Sequence, residues 1–358
     1  MAPKVLVTGT TGYIGGDAFF ALYDAHPEFE YTLVVRNEDR AKLVREKYPD
    51  TEHVKLVYGG PSASYVEVLE KEAAKTDVVL HTAESADDVS SATAISNGLL
   101  KSEGHSAENP VFWVHICGTG ILQWYDQVNR RYGQPPLPSE TYDDIASLPR
   151  LLTLPDEALH RDVDKVVLAT NHFPSSPVQT SIVAPPTIYG AGRGPVNTTS
   201  QQLPSLARFV LQKGFAPKVG TGAVEWDNVH VTDVSSLLLQ LVKIAALDPA
   251  RARGDAELFG GQAYFFCANE TPHVWSKVAE EIAQEAVKQR FLKEVLSKKV
   301  EMGEIPDKSW GTNSKCVASR ARKFLGWAPK GPALEDEITG IVEFEANRIG
   351  AKKIGESA

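Results

Sequence analysis

An α/β fold, a doubly wound parallel sheet with a smaller C-terminal substrate-binding domain, is predicted by three observations. The chain opens on a short apolar strand that runs through a glycine pattern into a helix. Apolar, β-forming runs then alternate with helical stretches at βα spacing through the first half. Composition is that of an ordinary globular protein, 42% hydrophobic and 23% charged over 358 residues, and no apolar run approaches the roughly 18 residues of a membrane span.

The opening stretch carries the most chemistry. Lys4–Thr8 suits a buried parallel strand, Gly9, Gly12 and Gly15 follow at GxxGxxG spacing, and the chain continues as a helix from Asp17. One glycine allows the tight turn, one lets backbone approach a pyrophosphate, and one lets helix pack closely on strand. The helix N-terminus offers N–H groups and a positive dipole end to the anion. Thr11, Tyr13 and Ile14 sit within this loop and are expected to line the same site.

In order, strands are expected at 30–36, 54–58, 76–81, 111–117, 178–183 and 263–268. Helices are expected at 37–48, 65–75, 89–101, 158–170, 203–213 and 234–247. The proline-rich, acidic stretch 132–156 reads as a long loop or lid, because dense prolines continue neither helix nor central strand. One or two amphipathic helices are expected over 272–299, and short helices at 319–326 and 335–348. The expected domains are residues 1–182, with returning segments about 226–268, for a dinucleotide, and 184–225 with 269–350 for the substrate.

The net charge of −9, with no local basic cluster, speaks against a nucleic-acid surface. Cys117, Cys267 and Cys316 have no metal-site spacing and imply a reducing compartment. The first strand begins at Lys4, leaving no room for a signal peptide. The expected protein is cytoplasmic, monomeric or homodimeric, without metal, membrane or nucleic-acid partner, and acts on a small molecule.

At the end of the second strand a dinucleotide fold places its ribose reader, an acid for NAD(H) or an arginine for the 2′-phosphate of NADP(H). Arg36 stands there, so NADP(H) is expected, with NAD(H) as the alternative.

Five stretches in order resemble the extended short-chain dehydrogenase/reductases, the group of sugar epimerases and dehydratases, including fungal members. TGTTGYIGG is similar to the family's TGxxGxxG loop, and His81-Thr82-Ala83 resembles its HxA turn beneath the cofactor. PPTIYGAG, beginning at Pro185, resembles RPxxVYGPG. WDNVHVTDV from Trp226 resembles RDFIHVDDV, and SRARKFLGWAP from Ser319 resembles SxARxxLGWxP. The resemblance implies a Rossmann-like fold, a nicotinamide dinucleotide, and a Tyr-x-x-x-Lys helix assisted by a serine or threonine.

The chain departs from that chemistry. The helix reads His160-Arg161-Asp162-Val163-Asp164-Lys165, placing Lys165 at the family lysine and Arg161 at the tyrosine. Lys165 is therefore expected at the nucleotide ribose, and Arg161, a permanent cation, at a substrate carboxylate or enolate. Cys117 lies where serine is usual and is read as a small residue beside the substrate rather than a nucleophile; Thr119 is the nearest hydroxyl. His160 and Tyr142 are the candidate replacement acids, with Tyr125 a further tyrosine in a flanking loop. Gly59-Gly60 replaces the family's Gly-Asp, which removes a side-chain contact to adenine. Trp226 replaces an arginine that holds a substrate diphosphate, so with Trp124 and Tyr125 an apolar or aromatic pocket is expected. Arg193 is a candidate for an anionic substrate group.

Three activities follow from these expectations: an NADP(H)-dependent oxidoreductase acting on a carbonyl or related group of a small non-nucleotide metabolite, an epimerase or dehydratase with a tightly held cofactor, or an inactive NAD(P) sensor.

Overall fold

Apolar runs along the chain line up in parallel as one seven-stranded sheet. β1 is Lys4–Thr8, β2 Glu30–Val35, β3 Val54–Tyr58, β4 Val78–His81, β5 Val111–Ile116, β6 Val178–Ala184 and β7 Tyr264–Phe266. Their order is β7-β6-β5-β4-β1-β2-β3, with every neighbouring pair parallel. This computed structural model describes residues 2–49, 53–59, 63–173 and 175–355; Gly60 of the Gly59-Gly60 pair lies outside them.

The central strands are buried on both faces, which is why β1, β4 and β5 read as continuous apolar runs rather than alternating ones. α1 (Tyr13–Ala25) and α2 (Glu38–Lys47) connect the strands running to one side of β1. α3 (Ala63–Ala73) and α4 (Val89–Leu100) connect those running to the other. Right-handed crossovers then place the two sets on opposite faces, and the winding reverses between β1 and β4. α5 (Arg161–Thr170) packs on α4 and β6, while a later helix, α7 (Val231–Leu247), packs on α1. Strand C-termini at such a reversal form the ligand crevice of open α/β sheets.

A second hydrophobic core gathers around α6 (Gln202–Lys213), α8 (Trp275–Lys288) and α9 (Leu334–Arg348). The 269–350 stretch is divided between the cores, since Cys316, Ala318, Ala321 and Trp327 join the sheet's core.

Two elements differ from expectation. The 132–156 stretch is an anchored strap rather than a lid: Thr141–Asp143 pairs in parallel with Lys315–Val317. The fully buried Asp144 accepts N–H bonds from Phe266 and Arg320, both at 2.8 Å. After α8 the chain turns through Arg290, φ 68°, and Ser297–Val300 pairs with Ala216–Val219 as a strand rather than a second helix.

Candidate active site

Gly9 leaves β1 at φ +76°, a conformation that favours glycine, and its carbonyl accepts the Gly12 N–H at 2.8 Å. A Cβ on Gly15 would lie 2.2 Å from Thr82 Oγ1 and 2.4 Å from the Gly9 carbonyl, so only glycine lets α1 pack here. At Gly12 an added Cβ would meet only the Gly9 carbonyl, at 3.1 Å, and no side chain caps the helix. The first-turn N–H groups of α1 are thus left without a side-chain cap, and the glycine cradle fits a pyrophosphate. Its floor is knitted by Thr8, whose Oγ1 accepts the Thr82 and Ala83 N–H groups at 3.0 and 3.2 Å. Thr11 and Ile14 are half-buried in the loop, and the Tyr13 hydroxyl donates to the Gly190 carbonyl at 2.6 Å.

His81 closes β4 beneath this floor, not within it. It is fully buried with Nδ1 3.1 Å from Nδ1 of His115, and burial pushes its pKa down to about 3. Its side chain is a neutral packing group.

Arg36 stands at the exposed end of β2, and its guanidinium is 3.2 Å from Glu84, just past β4. Glu84 itself holds φ +44°. Its carbonyl accepts the N–H groups of Asp87 and Asp88 at 3.0 and 3.1 Å, making a tight turn. Ser85 ties that turn to β5 by donating to the Ile116 carbonyl at 2.6 Å.

The turn presents Asp87, whose Oδ1 lies 2.7 Å from Nδ1 of His160. His160 caps α5 in the left-handed region, φ +69°, a strained state for a residue with a side chain. Its imidazole is 12% exposed. The other nitrogen, Nε2, faces the loop after β5. A Cβ on Gly118 would come within 3.4 Å of it and one on Gly120 within 2.7 Å. These two glycines make room for the ring. The His160 hydrogen bond holds the Asp87 carboxyl below the usual range, against an opposing effect of burial.

His160 and Asp164, not Arg161 and Lys165, are the pair that faces the sheet. Arg161 is buried, with Nε donating to the Leu154 carbonyl at 3.1 Å and Nη2 to that of Leu152. Lys165 turns to an exposed ion pair with Asp156 at 2.7 Å, away from the residues gathered around His160. Asp164 is fully buried and accepts from the Tyr264 hydroxyl at 3.0 Å, beside Cys117. Desolvation lifts its pKa to about 6, and the Cys117 thiol is likewise pushed up by burial.

Other expected site residues are occupied structurally. Thr119 is buried, with Oγ1 2.9 Å from the Ser314 hydroxyl, and its N–H donates to the Pro185 carbonyl at 3.0 Å. Tyr142 lies under the Arg150 guanidinium, 3.9 Å from its ring centre, and its hydroxyl donates to Glu140. Arg193 makes a two-pronged bond to Asp17, at 2.9 and 2.8 Å, that clamps its loop to α1. Trp226 is buried in the second core with Nε1 donating to the Thr312 carbonyl at 2.6 Å.

A cleft of about 550 Å³, which Leu159 rather than His160 reaches, is lined by Gln123, Gln127, Leu159, Gln201, Ser205 and the turn 306–309. Gln123 and Gln127 share one face at i, i+4 spacing, which turns Trp124 against the sheet's core and Tyr125 towards Arg131. The cleft is polar, not aromatic. Asp87, Gln123 and the Gly118/Gly120 pair escaped sequence reasoning; the His160-x-x-x-Asp164 spacing was the signal available.

No family model matches the chain. It is 31% identical over 359 residues to Oxidase ucsJ of an Acremonium species, covering 98% of this chain and 99% of that protein. Its fold is similar to a dTDP-glucose 4,6-dehydratase from Streptomyces venezuelae solved with NAD and TYD bound, with a TM-score of 0.65, 16% identity, and coverage of 97% and 98% of the two chains. A UDP-glucose 4-epimerase from Thermotoga maritima gives a TM-score of 0.59 at 13% identity, covering 97% of this chain and 99% of that one. Among the described residues no helix is long and apolar enough to cross a membrane.

Proposed function

The chain belongs to the NAD-dependent epimerase/dehydratase group of the extended short-chain dehydrogenase/reductases, and from that premise we propose that it is an NADP(H)-dependent oxidoreductase whose proton-transfer group is His160. It acts on a carbonyl or related group of a small, non-nucleotide metabolite. The observation that carries this reading is the 2.7 Å His160–Asp87 contact at the strand ends, with Nε2 turned to the loop after β5.

The loop of Gly9, Gly12 and Gly15 with the α1 N-terminus would hold the pyrophosphate, and Arg36 the 2′-phosphate. When bound, the nicotinamide supplies or accepts a hydride. His160 handles the accompanying proton. With Nδ1 held by Asp87, Nε2 is left to donate to a carbonyl oxygen during reduction or to take a hydroxyl proton during oxidation. Asp87 is a positioning residue; its hydrogen bond to Nδ1 fixes the ring.

The Arg36–Glu84 pair is exposed on both sides and is worth little, so a 2′-phosphate can claim the guanidinium. An oxidase relative and a dehydratase neighbour solved with NAD support nicotinamide chemistry.

The test is NADPH oxidation across aldehydes, ketones and imines by the wild type and His160→Gln. A roughly 10²–10⁴-fold loss in the variant, with cofactor binding kept, is expected. Undiminished turnover in the variant would remove His160 from the mechanism. An epimerase or dehydratase would instead regenerate its cofactor, giving no net oxidation.

A further inference from the structure

The cleft that Leu159 lines, one residue before His160, carries donors that proton transfer leaves unused. Gln123 is 6% exposed; its Oε1 accepts from the Thr312 hydroxyl at 2.6 Å, and its Nε2 has no hydrogen bond among the described residues. Ser309 is 3% exposed, and its hydroxyl has no partner among the described residues. Lys308, next to it and exposed, makes no ion pair among the described residues. Thr312 joins the two walls, because its hydroxyl also lies 3.0 Å from the Lys308 carbonyl. All three residues line the cleft.

An amide N–H, a hydroxyl and an ammonium together call for an anionic acceptor. The size of the charge follows from the neighbours. Arg131 is bonded to Asp126, Arg161 to backbone carbonyls, Arg193 to Asp17 and Lys315 to Asp227. Glu157 and Asp307 also line the cleft, with Asp307 capping the Ser309 N–H at 2.9 Å. With Lys308 the one cation among the lining residues against two carboxylates, a single negative charge held at Lys308 is opposed far less than the two or three of a diphosphate.

We propose that Gln123, Lys308 and Ser309 form a carboxylate-binding subsite, making the substrate a small monocarboxylic acid. This rests on the redox reading of the site. The 3₁₀ turn Thr119–Gln123 runs from Gly120, beneath the imidazole, to Gln123. A rise of about 2 Å per residue carries the backbone roughly 6 Å from Gly120 to Gln123, so a small acid of a few bonds is the size the turn suits.

Isothermal titration calorimetry of the intact protein, with and without NADP⁺, tests the subsite using hexanoate, hexanamide and UDP as probes. Hexanoate is expected to bind at least about tenfold more tightly than hexanamide or UDP. Lys308→Gln should weaken hexanoate about tenfold and leave hexanamide unchanged, the loss of one charge-assisted bond. Ser309→Ala should weaken both probes. Hexanoate binding no better than hexanamide, unchanged hexanoate affinity in Lys308→Gln, or preferred binding of UDP would overturn the proposal. Carboxylate binding that survives without any NADPH turnover would sink the redox reading and leave the subsite standing. Turnover confined to uncharged compounds would sink the subsite alone.

Discussion

Asp87 Oδ1 and His160 Nδ1 stand 2.7 Å apart, joining the turn after β4 to the first turn of α5. Both turns contain a residue with positive φ, Glu84 at 44° and His160 at 69°. Backbone strain of this kind costs of order 1–3 kcal/mol per residue and persists where the surroundings enforce it. Here it sets an imidazole over two glycines at the strand ends.

Replacing Asp87 by Asn keeps the shape and removes the charge. We expect kcat to fall about 10²-fold, within the range a positioned acid–base group contributes. Cofactor affinity should be unchanged. A variant with wild-type kcat would show that Asp87 only packs.

Gly120 is required for its missing side chain. In Gly120→Ala the new methyl would stand 2.7 Å from Nε2, so the ring must move. Turnover should fall towards that of the His160 variant, while the melting temperature and NADPH affinity stay close to wild type. Normal activity in this variant would contradict the placement of the imidazole.

The fold was legible because five ordered motifs lie on strand ends and helix starts that the sheet fixes. The chemistry at α5 was harder to read. Residues next to each other on a helix point about 100° apart, so which of His160, Arg161, Asp164 and Lys165 turn inward depends on where the helix starts. That start is set by the left-handed backbone at His160, which nothing in the local sequence announces. The pocket character was misread for a related reason. Trp226 and Arg193 look available in sequence, but Thr312 and Asp17, distant along the chain, occupy them.

Arg36→Ala should weaken NADPH about ten- to hundredfold, the worth of a hydrogen bond to a charged group, with NADH scarcely affected. Equal losses for both cofactors, read by fluorescence titration, would assign Arg36 a structural role.

Asp164 links burial to pH. Its pKa is raised from 3.8 unfolded to about 6 folded, so its stability contribution is complete below about pH 4 and is lost as pH rises through 6. Asp164→Asn mimics the neutral form. Its stability relative to wild type should rise by about 3 kcal/mol between pH 4 and 7 and then level off. A constant difference by urea unfolding at each pH would place the native pKa near its unfolded value.

The most direct test of the central claim is a structure of the protein with NADPH bound. The nicotinamide C4 should face His160 across a gap that places Nε2 about 3 Å from a substrate carbonyl oxygen, with Asp87 still on Nδ1. A nicotinamide out of reach of His160, with Lys165 on its ribose, would contradict it.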